Sequence, residues 1–190
     1  MNTGQPWFAL QTRPRSEKKI DDLLRQKGYE CFTPTYRQKR KWSDRTVEVG
    51  LPLFPRYVFC RFGSSAIGKA ISTPGVIKIV RFGDKPAEIT PEEIEALQLL
   101  AQSHYTREPW NYLPDGTPVI VETGPLTGIR GIVRHDGNQQ RLIISVTLLQ
   151  RSVAIELDES VIVSVVPDFR ADRNPLHPGS DLALKLLGRT

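Results

Sequence analysis

The chain has 190 residues, 39% of them hydrophobic and 25% charged, with 26 Lys and Arg against 21 Asp and Glu for a net charge of +5. That balance suits one or two small globular domains with enough apolar mass for a core, and no run approaches the ~18 apolar residues of a membrane span. Two cysteines, Cys31 and Cys60, far apart and without CxxC spacing, read as reduced, buried side chains of a cytoplasmic protein, with a disulfide between them as the alternative.

The charge is unevenly placed. Residues 1–62 carry 13 Lys and Arg against 6 Asp and Glu, and residues 63–190 carry 13 against 15. A basic first third points either to contact with a polyanion such as nucleic acid or to an ordinary solvated face.

Trp7 to Thr12 is an apolar run of strand length, broken by Pro14. Ser16 is placed to cap a helix in which Ile20, Leu23, Leu24 and Lys27 share one stripe, with Arg15, Lys18, Lys19, Asp21, Asp22 and Arg25 on the opposite face. Gly28 is placed to end it, and Tyr29 to Pro34 returns to strand composition. Arg37, Lys39, Arg40, Lys41 and Arg45 then form the most basic run, interleaved with Tyr36 and Trp42. Turn chemistry at Ser43 to Arg45 and a returning strand from Thr46 to Val49 make this a projecting cationic hairpin. Aromatic rings stack on bases and cations hold phosphates, which makes Arg37, Lys39, Arg40, Lys41 and Trp42 candidates for nucleic-acid binding; the alternative is a solvated loop with Trp42 packed on the body.

Pro52 to Phe62 (PLFPRYVFCRF) follows, a strand from Tyr57 on. Alternation puts Tyr57 and Phe59 on one face and Val58, Cys60 and Phe62 on the other. Both faces are apolar, so once helices cover one, the second needs a cover, which can be core or another protein. Ser64 to Ile71 predicts a short helix, Thr73 to Gly75 a turn, Val76 to Phe82 a strand and Gly83 to Pro86 a loop. Thr90-Pro91-Glu92-Glu93 is a helix start, with Ile94, Leu97, Leu100 and Ala101 as the buried stripe. Residues 5–102 therefore predict an α+β sandwich, an antiparallel sheet with helices on one face. Residues 103–114 lack periodicity and read as a linker. From Thr117 to Val166 the period is two, in five short runs that predict a small closed β-barrel over residues 115–167. Residues 168–190 read as a flexible tail.

No catalytic constellation, metal-ligand pattern or cofactor motif is found: His104, His135 and His177 are isolated, and Gly124 to Gly128 precedes a strand and not the helix a phosphate loop requires. The expectation is a protein that is not an enzyme and needs no cofactor.

Trp7–Thr12, the PLFPRYVF stretch, Thr73 to Val76 and Phe82-Gly83 together resemble the N-terminal domain of the NusG family of transcription elongation factors, and Gly116 to Arg134 resembles a KOW motif of an SH3-like barrel. Val80 to Gly83, with Pro86 and Ala87, is most similar to the specialised RfaH, UpxY and LoaP-like branch. The resemblance implies an antiterminator or processivity factor that binds the RNA polymerase clamp helices through Phe54, Tyr57 and Phe59, with Gln11 where the RfaH branch has an aromatic. It implies contact with non-template DNA through Arg13, Arg15, Lys19, Arg25 and Lys27. It also implies a partner for the KOW domain at Leu149, with Leu148 and Arg151 beside it; an aliphatic residue there favours a ribosomal protein over the Rho terminator. A monomer without membrane attachment is expected. A housekeeping factor acting with Rho and an RNA-binding, ribosome-associated KOW protein are the alternatives.

Overall fold

In the computed structural model, residues 4–41, 44–111, 116–136, 139–157 and 161–166 are described; Trp42, residues 112–114 of the expected linker and the 168–190 tail lie outside them. The chain divides into two units, Met1–Pro109 and Trp110–Thr190. The first holds β1 (Trp7–Thr12), α1 (Glu17–Gln26), β2 (Glu30–Phe32), β3 (Thr35–Lys41), β4 (Thr46–Pro52), β5 (Tyr57–Arg61), α2 (Ile67–Ile71), β6 (Val76–Ile79), β7 (Arg81–Phe82), β8 (Lys85–Pro86), β9 (Glu88–Ile89) and α3 (Pro91–Gln102).

Its main sheet runs β2-β5-β1-β6, with β9 also pairing β1. One face carries Phe8, Leu10, Val58, Cys60 and Ile79, which form a core with Phe62, with Ile20 and Leu24 of α1 and with Ala70 of α2. The α1 stripe differs from the expected one: Glu17, Ile20, Asp21 and Leu24 are buried, whereas Lys27 is exposed. Spacing of i, i+3, i+4 and i+7 permits either register on a helix. The polar members turn inward because each is satisfied: Glu17 Oε1 accepts from the Arg56 backbone N–H at 2.7 Å, and Asp21 accepts from Thr33 Oγ1 at 2.9 Å. Gly28, at φ +85°, supplies the left-handed residue just past the helix end.

The second sheet face is covered from within the chain, which corrects the expectation of helices on one face only. α3 starts directly after β9, beside β1, with the Thr90 hydroxyl accepting from the Glu93 N–H at 3.3 Å and Pro91 in the first turn. Its end lies near the exit of β2, because Arg107 donates from Nη1 to the Leu100 carbonyl at 3.1 Å and from Nε to the Thr35 carbonyl at 2.9 Å. Twelve residues span ~18 Å, enough to cross from β9 over β1 and β5 to β2 at ~4.8 Å per strand. With one face taken by α1 and α2, the stripe Ile94, Leu97 and Leu100 goes to the other, where Trp7, Ala9 and Phe59 are also buried. The 76–82 run breaks at Val80, and residues 81–86, expected to end in a loop, form the two-stranded hairpin β7–β8.

The second unit contributes β11 (Thr117–Val121), β12 (Arg130–Asp136), β13 (Gln139–Val146), β14 (Arg151–Glu156) and β15 (Val163–Val165) to a six-stranded sheet ordered β10-β14-β13-β12-β11-β15, with β10 spanning Arg107–Asn111. β10 lies in the stretch expected to be a linker; an end strand tolerates Pro109, which hides it in the sequence. The order has β10 and β15 at its ends, so the described pairings make a six-stranded sheet where five strands in a closed barrel were expected. Gly131 sits where an added Cβ would approach the Ile143 carbonyl oxygen to 2.7 Å, so β12 and β13 pair closely only with glycine there. Leu126, 1% exposed, anchors the Gly124–Gly128 turn from within.

Phe59→Ala is expected to lower stability by about 3–5 kcal/mol through the cavity it leaves, and Thr90→Ala by about 1 kcal/mol. Urea unfolding checks both, with the midpoint falling at unchanged slope.

Candidate nucleic-acid interface

β3 and β4 pair along their whole lengths, from Thr35 opposite Pro52 to Lys41 opposite Thr46, and form a two-stranded sheet separate from the main one. The ribbon is amphipathic by register. Arg37, Lys39 and Lys41 alternate along one face at ~6.8 Å intervals, all exposed, with Glu48 opposite Lys39. Tyr36, Val47, Val49 and Leu51, all half-buried, mark the other face, which also bears exposed Gln38 and Arg40. The sequence run thus splits: Arg37, Lys39 and Lys41 share one face, and Arg40, whose Nε donates to Gln38 Oε1 at 3.4 Å, stands on the reverse side. Arg37 pairs with Glu48 at 3.2 Å, but both are solvated, so the pair is worth about 0–1 kcal/mol and is readily exchanged for a phosphate. Arg107 fixes the ribbon's root through the Thr35 carbonyl. Burial first, and the charge of Arg37 second, push the Arg107 pKa down from its ordinary value.

The candidate cations around α1 fall into two classes. Arg13, Arg15 and Lys19 are exposed, as is Lys18. Arg15 adopts a left-handed backbone at φ 60°, in the turn that connects β1 to α1. Arg25 and Lys27 are committed to their own chain. Arg25 Nε donates to Asp21 at 2.5 Å and its Nη2 to the Cys31 carbonyl, tying α1 to β2. The hydrogen bond to Asp21 raises the Arg25 pKa above its ordinary value. Lys27 Nζ donates to Thr73 Oγ1 at 2.7 Å and to the Lys69 carbonyl at 3.2 Å, tying α1 to the end of α2. Holding helices is the first role of these two, which no run of basic letters reveals.

The expected apolar patch is largely closed. Phe54 is 1% exposed and Phe59 0%; their rings meet edge to face at 5.3 Å, and Phe32 stacks near Phe59 at 6.3 Å. These two are core side chains because α3 takes the face that the sequence left uncovered. Strand register shows what remains. One row across this face is Glu30, Arg61, Trp7 and Ile89, with Arg61 5.7 Å from the Trp7 ring and 3.3 Å from Glu30. The next is Phe32, Phe59 and Ala9. The last is Tyr57, Gln11 and Lys78, half-buried, half-buried and exposed. This row borders Arg13, whose N–H bonds the Gly75 carbonyl at 3.0 Å, and exposed Arg56, left-handed at φ 71°. Arg56 and Lys78 belong to this corner and were missed: each lies in an apolar run, and only pairing with β1 brings them together.

In the second unit a short turn, Thr147–Leu149 followed by left-handed Gln150, joins β13 to β14. Leu149 is 9% exposed and packs inward; Leu148 and Arg151 are half-buried. The surface this turn offers is therefore centred on Leu148, not on Leu149 as expected. Arg141 lies 4.9 Å from the Trp110 ring.

Residues 5–98 match the family model described as "NusG: Transcription termination factor nusG". Similar solved structures include one described as "Domain interaction in Thermotoga maritima NusG", at 22% identity over 82% of this chain and 94% of that chain, with a TM-score of 0.46. Another, "Crystal Structure of MjSpt4:Spt5 complex conformation A", has 20% identity over 84% of this chain and 98% of that chain, with a TM-score of 0.30.

The two classes of cation are separable by experiment. Asp21→Ala is expected to cost about 1–3 kcal/mol, because it removes a buried acceptor of two hydrogen bonds. Replacing Arg13, Arg15 and Lys19 together by Gln is expected to leave the thermal midpoint within about 2 °C, since exposed substitutions are near neutral.

Proposed function

We propose, from the premise that residues 5–98 are a domain of the NusG family of transcription factors, that the chain is a non-enzymatic elongation factor that rides on RNA polymerase and suppresses pausing and termination. The family match carries this reading, and the segregation of free cations supports it. The Tyr57–Gln11–Lys78 row contacts the clamp helices, with Phe59 and Phe54 as its rigid support. Arg13 and Arg56 beside that row, with Arg15 and Lys19 at the start of α1, hold non-template DNA, and the Arg37, Lys39 and Lys41 face of the ribbon supplies a further stretch of phosphate contacts. The mechanism is differential binding: a ligand that favours the closed clamp shifts the polymerase toward it in proportion to its preference. The second unit, a KOW-type module in this reading, recruits a ribosomal protein through Leu148 and its neighbours. The factor works in the cytoplasm as a monomer of the specialised antiterminator kind and uses no cofactor.

A second reading is a housekeeping factor that acts with Rho, favoured by the termination wording of the matching family. Retention of purified Rho by the full chain supports this second reading, and its absence supports the first.

Tyr57→Ala is expected to weaken retention of the chain by immobilised RNA polymerase at least tenfold while the chain stays folded; full retention overturns the clamp assignment. Replacing Arg37, Lys39 and Lys41 by Gln is expected to reduce the log–log salt slope of DNA binding by about 2–3, since each phosphate that a cation no longer neutralises removes about 0.9 from it. An unchanged slope removes the ribbon from the interface.

A further inference from the structure

Cys31 of β2 and Cys60 of β5 stand directly opposite one another in antiparallel register, with their Sγ atoms 3.2 Å apart. They are the chain's only two cysteines. Opposed residues of antiparallel strands have Cα separations of about 4.5–5.5 Å, inside the ~4.4–6.8 Å range of disulfides. Closing the bond therefore asks the sulfurs to approach by about 1 Å and asks nothing of the strand register.

Both thiols are buried, Cys31 at 3% and Cys60 at 0% exposure. The hydrogen bond with Cys31 and burial push the Cys60 thiol above the ordinary thiol range, so in the closed, reduced pair Cys60 stays protonated and is a poor nucleophile. The two sulfurs differ in position. Cys60 lies in a strand paired on both sides, whereas Cys31 lies in a three-residue strand at the rim of the sheet. Short rim segments open locally far more often than a domain unfolds. Opening of β2 exposes Cys31 first.

We propose that Cys31 and Cys60 are an oxidant-responsive pair that closes to a cross-strand disulfide and staples the rim strand β2 to the interior strand β5. With hydrogen peroxide as the two-electron oxidant, the Cys31 sulfur takes one oxygen as the O–O bond breaks, giving the sulfenic acid and one water. β2 then closes, the Cys60 sulfur attacks the sulfenic sulfur, and the hydroxyl leaves with the Cys60 proton as a second water. Two thiols are oxidised and one peroxide is reduced to two waters. The ribbon begins at Thr35, three residues after Phe32 ends β2, so the staple also fixes the ribbon's root.

The test treats the native full chain with hydrogen peroxide, then alkylates free thiols and measures intact mass. The expected result is loss of both thiols together, a mass lower by two hydrogens, a chain that stays monomeric and full recovery with dithiothreitol. The oxidised chain is expected to melt at least about 5 °C higher, from the loop it closes. Two thiols still open to alkylation, a disulfide-linked dimer or a sulfinic acid as the main product each overturn the proposal. Cys60→Ser removes the resolving sulfur and is expected to leave a dimedone-reactive sulfenic acid on Cys31. If that variant does not fold, the Cys31–Cys60 linked peptide in a digest of the native oxidised chain decides the matter.

Discussion

Pairing of β1 with β5 places apolar side chains on both sides of one short antiparallel ladder, and each side then demands its own cover. Leu10 opposite Val58 and Phe8 opposite Cys60 face α1 and α2, while Ala9 opposite Phe59 faces the other way. A sheet with two dry faces must be sandwiched, and a domain of ~100 residues has little apolar mass to spare for it. α3 supplies the second layer. The Glu17 bond to the Arg56 backbone sets the turn that leads into β5, so the helix on one face fixes the strand that the other helix covers.

Within this frame the positive charges divide by what they already hold. Arg25, Lys27 and Arg107 satisfy carbonyls or side chains of their own chain and join elements distant in sequence. Arg13 and Arg56 flank the open corner of the sheet, Arg15 and Lys19 are exposed at the start of α1, and Arg37, Lys39 and Lys41 line the ribbon. A polyanion competes poorly for a cation with buried partners and well for one in water. The set of cations left in solvent is thus smaller than the count of basic residues suggests.

Much of the fold was legible where a local signal is strong. Thr90 and Pro91 announced α3, Gly28 the end of α1, and the turn chemistry at Ser43 to Arg45 with the returning strand from Thr46 the ribbon. Legibility failed where the answer depends on contacts between distant segments. Nothing near Phe54 or Phe59 reveals that α3 crosses their face, and nothing near Asp21 reveals that Thr33 and Arg25 make its burial affordable. β10 escaped because a strand at the end of a sheet needs only one neighbour and carries no alternating pattern of its own. The Tyr57–Gln11–Lys78 row is a product of register alone.

The main sheet has blunt rims. On one side β2 is three residues long and stops just before Pro34; on the other, four-residue β6 carries exposed Lys78. Unpaired strand edges invite strands from neighbouring molecules, and brevity, proline and lysine are what blunt them. Ile77, 47% exposed on β6, is thereby kept beside a charge and within a segment too short to template a stack. The domain can remain crowded among its own copies without joining them edge to edge.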